Sequence, residues 1–201
     1  MAQPGTGTAA PHIQDYDIQG DTLIKYHGQS PAPTVPQGVR VIGEGAFSRQ
    51  MITSVTLPDS VEVIGPRAFQ LCMKLGSVRM SRGVERIEER AFEHCRSLLV
   101  LSLPEGLRFI GERAFAGSGL SGIIDFPASV AHIGDQAYQY CPWLSGAIFY
   151  GSPRDIGRLV FDQCALFTRP RAAAELLLRM EEQDCFSSGT AASEPGADTC
   201  G

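Results

Sequence analysis

Residues 54–76 read SVTLPDSVEVIGPRAFQLCMKLG, and this stretch decides the architecture because the chain repeats it. The aromatic residue of each unit recurs after one step of 22 residues and four steps of 23. An isoleucine stands five residues before each aromatic, and an alanine or valine stands directly before it. Six units in one register predict a repeat solenoid, in which each unit buries its apolar side chains against its neighbours. The aromatic positions are Phe47, Phe69, Phe92, Phe115, Tyr138 and Phe161.

Each unit is predicted to contain a short strand, a turn, a second extended piece and a tight helical turn. In SVTLP the apolar Val55 and Leu57 alternate with polar residues, which is the pattern of a strand with one buried face. Pro58 ends that strand because it has no amide proton for a ladder. After Gly65, the apolar positions fall at helical spacing. A period of 23 lies in the leucine-rich-repeat range of about 20–29 residues, so equivalent residues should stack at about 4.8 Å.

The repeat register also predicts the core, because each unit places an isoleucine, an aromatic and a cysteine on the inner side. Cysteine is a small apolar residue that is common in cores, so we expect buried, unpaired thiols. Disulfides between neighbouring coils are the alternative, since the stacking distance would permit them. The predicted core comprises Ile64, Phe69, Cys72, Ile87, Phe92, Cys95, Ile110, Phe115, Ile133, Tyr138, Cys141, Ile156, Phe161 and Cys164.

One unit departs from this pattern at Ala116-Gly-Ser-Gly119, where other units carry bulkier residues and a cysteine. Small residues at these positions predict a slightly looser turn. The row of thiols is expected to break at Ser118, which occupies the cysteine position.

The string L-x-x-V-x-L-P-x-x-V-x-x-I-G-x-x-A-F-x-x-C resembles the BspA-like subfamily of leucine-rich repeats over roughly residues 15–166. Segment 15–28 is also similar to the opening cap of that family. The resemblance implies an α/β repeat solenoid, a right-handed leucine-rich-repeat coil with a concave parallel β-sheet and short strands and helical turns on the convex side. It further implies protein interaction, and many family members are bacterial or protist surface proteins.

Five segments are expected along the chain. A solenoid needs its open ends covered, and the apolar stripe that follows Pro170 predicts a helix that could serve as the C-terminal cap. The alternative for this helix is docking to a partner. We expect a flexible N-terminus at 1–14, an N-terminal cap and first repeat at 15–53, repeats of about 23 residues at 54–166, a capping helix at 167–185 and a flexible tail at 186–201.

Composition and motifs argue against most chemical functions. A net charge of −5 and a pI of about 5.4 are unlike the basic footprint of a nucleic-acid-binding protein. Gly106–Gly111 has the glycine spacing of a P-loop, but Glu112-Arg113 stands where Lys-Ser/Thr is needed. No C-x-x-C occurs, so we predict no metal site and no cofactor. None of the histidines shares a spacing with a serine or cysteine that would suggest a dyad, so we predict no catalytic residue. Glu89-Arg90 and Glu112-Arg113 repeat in register, which predicts a solvated charged edge or, alternatively, an anion-binding strip.

These observations favour a non-enzymatic protein–protein interaction scaffold whose partner is another protein. The chain is expected to be a monomer that binds no nucleic acid and does not insert into membranes. The absence of a visible signal peptide or apolar spanning stretch favours a cytoplasmic location over the cell surface. The alternatives are a cell-surface adhesin-type module of a longer protein, or a ligand-binding or enzymatic site at a cap junction near His27 or the Tyr150–Asp155 turn.

The concave sheet is the expected binding surface, as in other solenoids. Outward positions on the SVTLP-type strands include Val100 and Gly146, and they become more apolar toward the C-terminal units. Exposed apolar side chains favour a partner site. The alternative is that β-branched residues stand there only because they have a high strand propensity. The predicted partner-binding residues are Thr56, Arg79, Ser102, Ile123, Asp125, Ile148 and Tyr150.

Overall fold

The computed structural model describes residues 12–165, and there the second extended piece of each unit forms one continuous eight-stranded sheet, here called the long sheet. β1 and β2 form an antiparallel hairpin, and the later strand pairs of this sheet are parallel. A 3-10 turn at Ile13–Asp15 precedes the hairpin. The strands are β1 (Tyr16–Gln19), β2 (Thr22–Tyr26), β3 (Val41–Ile42), β4 (Ser54–Thr56), β5 (Val63–Ile64), β6 (Ser77–Arg79), β7 (Arg86–Ile87), β8 (Phe109–Ile110), β9 (Ser121–Phe126), β10 (His132–Ile133), β11 (Trp143–Phe149) and β12 (Asp155–Ile156).

The solenoid fold with its 23-residue period and parallel sheet is therefore confirmed. Parallel strands in register place the isoleucines of successive units on top of one another, as Ile42, Ile64 and Ile87 show. The capping helix expected at 167–185 and the tail at 186–201 lie outside the described residues, as do residues 1–11.

The SVTLP-type strands form a second side of the solenoid, the short-strand face, and here the sequence-based assignment needs a correction. These strands do not build the continuous sheet. Among the described strands β4 pairs with β6, and its Thr56 also forms an isolated parallel bridge with Thr34, while β9 pairs with β11. Residues 99–103 lie between the two pairs and form no strand, although they are rich in strand-forming residues. Gly122, with a φ of 74°, bends the chain beside this break, and the amide of Ser121 bonds there to the carbonyl of Leu99.

The third side of each coil, the turn side, needs a second correction because within residues 12–165 it contains no helical turn. Arg67 and Leu71 have φ angles of 54° and 60°, and a left-handed residue interrupts a right-handed helix. The equivalent positions in the other coils repeat this conformation, for example at Arg90 and His94. The apolar spacing that indicated a helix is therefore produced by two consecutive turns.

Backbone hydrogen bonds between coils run in opposite directions on the turn side and along the long sheet. On the turn side the amide of Phe69 donates to Ala91 of the following coil at 2.8 Å. Along the long sheet the amide of Gly65 donates to Ile42 of the preceding coil, also at 2.8 Å. Each internal coil therefore depends on both neighbours to satisfy its buried amides, which an isolated unit could not do.

A stack of aromatic rings fills the centre of the solenoid. Phe69 and Phe92 are nearly parallel, at an interplanar angle of 2° and a centroid separation of 5.0 Å. The rings continue from the hairpin to the last described coil, so that Phe47, Phe69, Phe92 and Phe115 each have a ring above and below. The other predicted core positions are buried as well, apart from Cys164, which is half-buried.

The four described cysteines are free thiols that form hydrogen bonds between coils. They are Cys72, Cys95, Cys141 and Cys164. Each donates to the carbonyl of the aromatic residue of the preceding coil, for example Cys72 Sγ to Phe47 O at 3.0 Å. Burial raises the pKa of Cys72 to about 12, which keeps the donor proton in place. Ser118 breaks the row as expected, and its hydroxyl lies 3.3 Å from Cys141 Sγ.

Candidate interaction surfaces

All seven predicted partner-binding residues lie on the short-strand face. Five of them are exposed, and Thr56 and Ile148 are half-buried. Ile148 stacks directly on Asp125 in the register of β9 and β11. The exposed members are Arg79 in β6, Ser102 in the 99–103 segment, Ile123 and Asp125 in β9, and Tyr150 just after β11.

Gly146 is buried, contrary to its predicted outward position. The reason is an irregularity in β11, where the partner of Leu144 is Gly122 but the partner of Gly146 is already Ile123, so that Ser145 is inserted as a bulge. A bulge re-aims the residues around it. Trp143 comes to lie opposite Ser121 and is exposed, which the regular 23-residue frame does not predict.

An exposed group of large apolar side chains therefore covers the C-terminal half of this face. We call it the apolar strip and define it as Leu99, Val100, Ile123 and Trp143, whose exposed fractions are 52%, 72%, 57% and 65%. Sequence reasoning identified Ile123 as a binding residue but missed Leu99 and Trp143. Leu99, Val100 and Ile123 line one shallow groove, and exposed apolar side chains grouped in this way are characteristic of interaction sites.

An open notch of about 310 Å³ adjoins the apolar strip at the Ala116–Gly119 corner. Its floor includes Gly117, Ser118 and Gly119, and its walls are His94, Arg96, Tyr140, Pro142 and Trp143. The expected looser turn is not observed there, because Ser118 and Gly119 are buried and a side chain at Gly119 would collide with the carbonyl oxygen of Arg96. The small residues produce a tight backbone, and the His94 ring lies directly over Gly117.

The cations of the short-strand side are exposed and make no ion pair within the described part of the chain. They are Lys74, Arg79 and Arg96. Asp125 is the carboxylate on the strands of this side. Arg82 also has no ion-pair partner among residues 12–165. It occupies the same turn position as Asp59 and Glu105 in the neighbouring coils, so that row carries both signs of charge.

The repeated Glu-Arg positions form the solvated charged edge that the sequence predicted. Arg67 contacts Glu44 at 3.1 Å and Glu89 at 3.3 Å, and Arg90 contacts Glu89 at 3.1 Å. Exposed pairs of this type contribute about 0–1 kcal/mol each. Because these guanidinium groups already have carboxylate neighbours, the alternative of an anion-binding strip is not favoured.

A polar and aromatic stack on the outside of the long sheet was not predicted. The Arg86 guanidinium lies 4.0 Å from the centre of the Phe109 ring, and Phe109 stacks on His132 at 4.6 Å. His132 Nδ1 lies 2.7 Å from Asp155 Oδ2. These four residues occupy one register row, so the signal was present in the repeat frame but not in any local motif.

Each of the two junctions named as alternative sites carries a histidine beside a carboxylate, His27 with Asp17 and His132 with Asp155. His27 Nε2 lies 2.7 Å from Asp17 Oδ2 on the N-terminal hairpin, where both side chains are more than half exposed. Within residues 12–165 there is no cluster of three or more histidine, cysteine, aspartate or glutamate side chains placed to hold a metal ion. The described residues also include no helix with the length and apolar character needed to cross a membrane.

Comparison with known families agrees with the repeat. The family described as "BspA type Leucine rich repeat region" matches residues 27–145 in six copies. None of the curated proteins compared with this chain matches it.

Several solved structures are similar. A leucine rich cell surface protein from Faecalibacterium prausnitzii is 34% identical with a TM-score of 0.61, and the match covers 68% of this chain but 38% of that protein. The leucine rich repeat protein of T. pallidum is 23% identical with a TM-score of 0.59, covering 84% and 92% of the two chains. The pneumococcal vaccine antigen PcpA is 14% identical with a TM-score of 0.61, covering 86% and 44%. The last two show the fold alone.

Proposed function

Because this chain belongs to the BspA-type leucine-rich-repeat family, we propose that it is a non-enzymatic scaffold that binds another protein on its short-strand face. The observation that carries the proposal is the apolar strip, which exposes four large apolar side chains on one side of the solenoid. Burying apolar surface is the main source of affinity between proteins, and exposed aromatic residues are frequent anchors.

The remaining predicted residues complete this surface in the manner of a typical interface. Arg79, Ser102 and Asp125 form a polar row beside the apolar strip, and Tyr150 extends it past the end of β11. A fully desolvated apolar centre with a polar rim is the usual arrangement of protein interfaces. The chain itself is proposed to be a monomer that binds neither nucleic acid nor membrane.

The second candidate function is an adhesin-type module of a longer protein that lies at the cell surface. It is favoured by the similarity to the leucine rich cell surface protein of F. prausnitzii, of which this chain spans about two-fifths of the length. Antibody labelling of intact cells of the source organism tests this location. Labelling only after permeabilisation would exclude it.

Site-specific photo-crosslinking tests the binding surface. A photoreactive residue at Ser102 should capture a partner, whereas the same residue at the exposed Glu85, near the long sheet, should not. Ile123→Asp should abolish the capture at Ser102 and leave the circular dichroism spectrum unchanged, because Ile123 is exposed. Equal capture at both positions, or capture that survives Ile123→Asp, would contradict the proposed surface.

A further inference from the structure

An open pocket with two arginines in its lining lies where the turns after the SVTLP-type strands lead into the long sheet. Its volume is about 490 Å³. The rest of the lining consists of small or apolar residues and contains no carboxylate. We call this pocket the arginine cleft, and its lining residues are Arg108, Ala128, Ser129, Val130, Ala131, Ser152 and Arg154.

The two arginines are separated by one coil, which places an alanine between them. The amide of Ala131 donates to the carbonyl of Arg108 at 2.9 Å, and the amide of Arg154 donates to the carbonyl of Ala131, also at 2.9 Å. The three residues therefore stand in one row, with about 4.8 Å between neighbouring coils. Because alanine has no polar side-chain atom, the layer between the two arginines contributes no side-chain acceptor.

The same row shows in the N-terminal coils what such a layer can hold. Glu62 follows Arg40 as Ala131 follows Arg108, since the amide of Glu62 donates to the carbonyl of Arg40 at 2.8 Å. The Glu62 carboxylate accepts hydrogen bonds from Arg40 Nη2 at 2.8 Å and from Arg40 Nε at 3.1 Å. A guanidinium in this row therefore reaches an oxyanion one coil further along. Arg108 has the same reach, but residue 131 offers it no acceptor.

The other groups of the cleft leave this layer open to an external anion. Arg108 makes no ion pair within the described part of the chain, although Glu85 stands one coil before it. The Ser129 hydroxyl donates to the carbonyl of Leu107 at 2.7 Å, whereas Ser152 is exposed. Two guanidinium groups beside one position match a doubly charged oxyanion, which they can hold through several charge-assisted hydrogen bonds.

We propose that the arginine cleft binds a phosphate or sulfate group in the layer of Ala131, between the side chains of Arg108 and Arg154. A tetrahedral dianion presents oxygens toward both arginines, and its charge balances theirs. The volume of about 490 Å³ lies within the range of small-molecule pockets, about 300–1,000 Å³, so the cleft also has room for a molecule that carries the anion as an ester. The cleft shares no residue with the apolar strip, and the proposal does not depend on the function of that strip.

NMR of the nitrogen-labelled full chain tests the proposal, because each arginine side chain has its own Nε–H signal. Sodium phosphate, sodium sulfate and O-phosphoserine are titrated separately at constant ionic strength, with serine as the comparison that lacks the anion. The signals of Arg108 and Arg154 should shift together and saturate with a Kd of about 1 mM or below for at least one of the three anions. Arg40, which is paired with Glu62, and Arg79, which has no second arginine beside it in its row, should shift little.

Substitutions in the same row give matched controls. Arg108→Ala should weaken binding by about tenfold or more, whereas Arg40→Ala should leave it unchanged. Ala131→Glu supplies the carboxylate that Glu62 supplies to Arg40, and it should therefore abolish binding. Ala131→Gln adds a side chain of the same size without the charge and should retain measurable binding. Circular dichroism should show the same folded spectrum for all four variants.

The titrations also decide between the sources of the anion. Tighter binding of O-phosphoserine than of inorganic phosphate supports an esterified group as the ligand, and the reverse order supports the free ion. Absence of saturable shifts up to about 10 mM with all three anions would overturn the inference. Equal shifts at Arg79 and Arg108, or a loss of binding in Ala131→Gln as complete as in Ala131→Glu, would overturn it as well.

Discussion

Tyr138 offers the sharpest test of how the core is assembled, because its hydroxyl is buried without a hydrogen-bond partner among the described residues. Burial raises the pKa of this phenol well above its ordinary value. The ring itself is well placed, at 5.0 Å from Phe115 and 5.7 Å from Phe161 in the central stack. A buried polar group without a partner costs about 1–3 kcal/mol.

Tyr138→Phe removes the hydroxyl and keeps the ring. The free energy of unfolding should therefore rise by about 1–2 kcal/mol. For a chain of this size, each kcal/mol corresponds to an increase of about 2–4 °C in Tm. Urea titrations followed by circular dichroism measure the change, and the slope m should stay constant if only the folded state is affected.

Tyr26→Phe is the matched control at the other end of the same stack. The Tyr26 hydroxyl donates to the carbonyl of Ser30 at 3.1 Å, so its removal should destabilise the fold by about 0.5–1.5 kcal/mol. The two substitutions are chemically identical and should change stability in opposite directions. If Tyr138→Phe destabilises the protein as much as Tyr26→Phe does, the Tyr138 hydroxyl has a partner and the reasoning fails.

Three further substitutions or conditions test other parts of the fold. Phe92→Ala should lower the free energy of unfolding by about 3–5 kcal/mol in urea titrations, and the half-buried Phe109→Ala should cost clearly less. Gly119→Ala should lower Tm because the new methyl group meets the Arg96 carbonyl, whereas Gly106→Ala, with its nearest neighbour at 3.4 Å, should be nearly neutral. The raised pKa values of Cys72 and Cys95 mean that the folded state retains protons that an unfolded chain releases above about pH 8.5. Stability should therefore be full below that pH and fall at higher pH, by about 1.4 kcal/mol per thiol and pH unit, and Cys72→Ala should reduce this slope.

The repeat frame was sufficient to predict the core because burial follows the 23-residue register directly. A side chain such as Phe92 or Ile87 has one inward direction in every coil, and neighbouring coils enforce it. The outward row of Arg79, Ser102 and Asp125 follows from the same register. Periodicity and the alternation of side chains along a strand were sufficient to predict these positions.

Features that depend on hydrogen bonding between coils could not be predicted in this way. Leu71 and Arg67 adopt left-handed backbone angles that their residue types ordinarily avoid, because their amides bond to the next coil. The bulge at Ser145 and the bend at Gly122 likewise arise from the pairing of β9 with its neighbours. The bulge and the bend place Trp143 in an exposed position. The apolar strip could therefore be predicted only in part from the sequence.

Amides on the turn side and amides along the long sheet bond to opposite neighbouring coils. Hydrogen exchange at these two sets of amides therefore reports separately on the detachment of the following and the preceding coil. The amide of Phe69 loses its acceptor when the following coil detaches, whereas the amide of Gly65 loses its acceptor when the preceding coil detaches. Fraying from the C-terminal end should therefore deprotect turn-side amides first, coil by coil, and fraying from the hairpin should deprotect long-sheet amides first. The order of exchange along these two series would reveal from which end the solenoid opens.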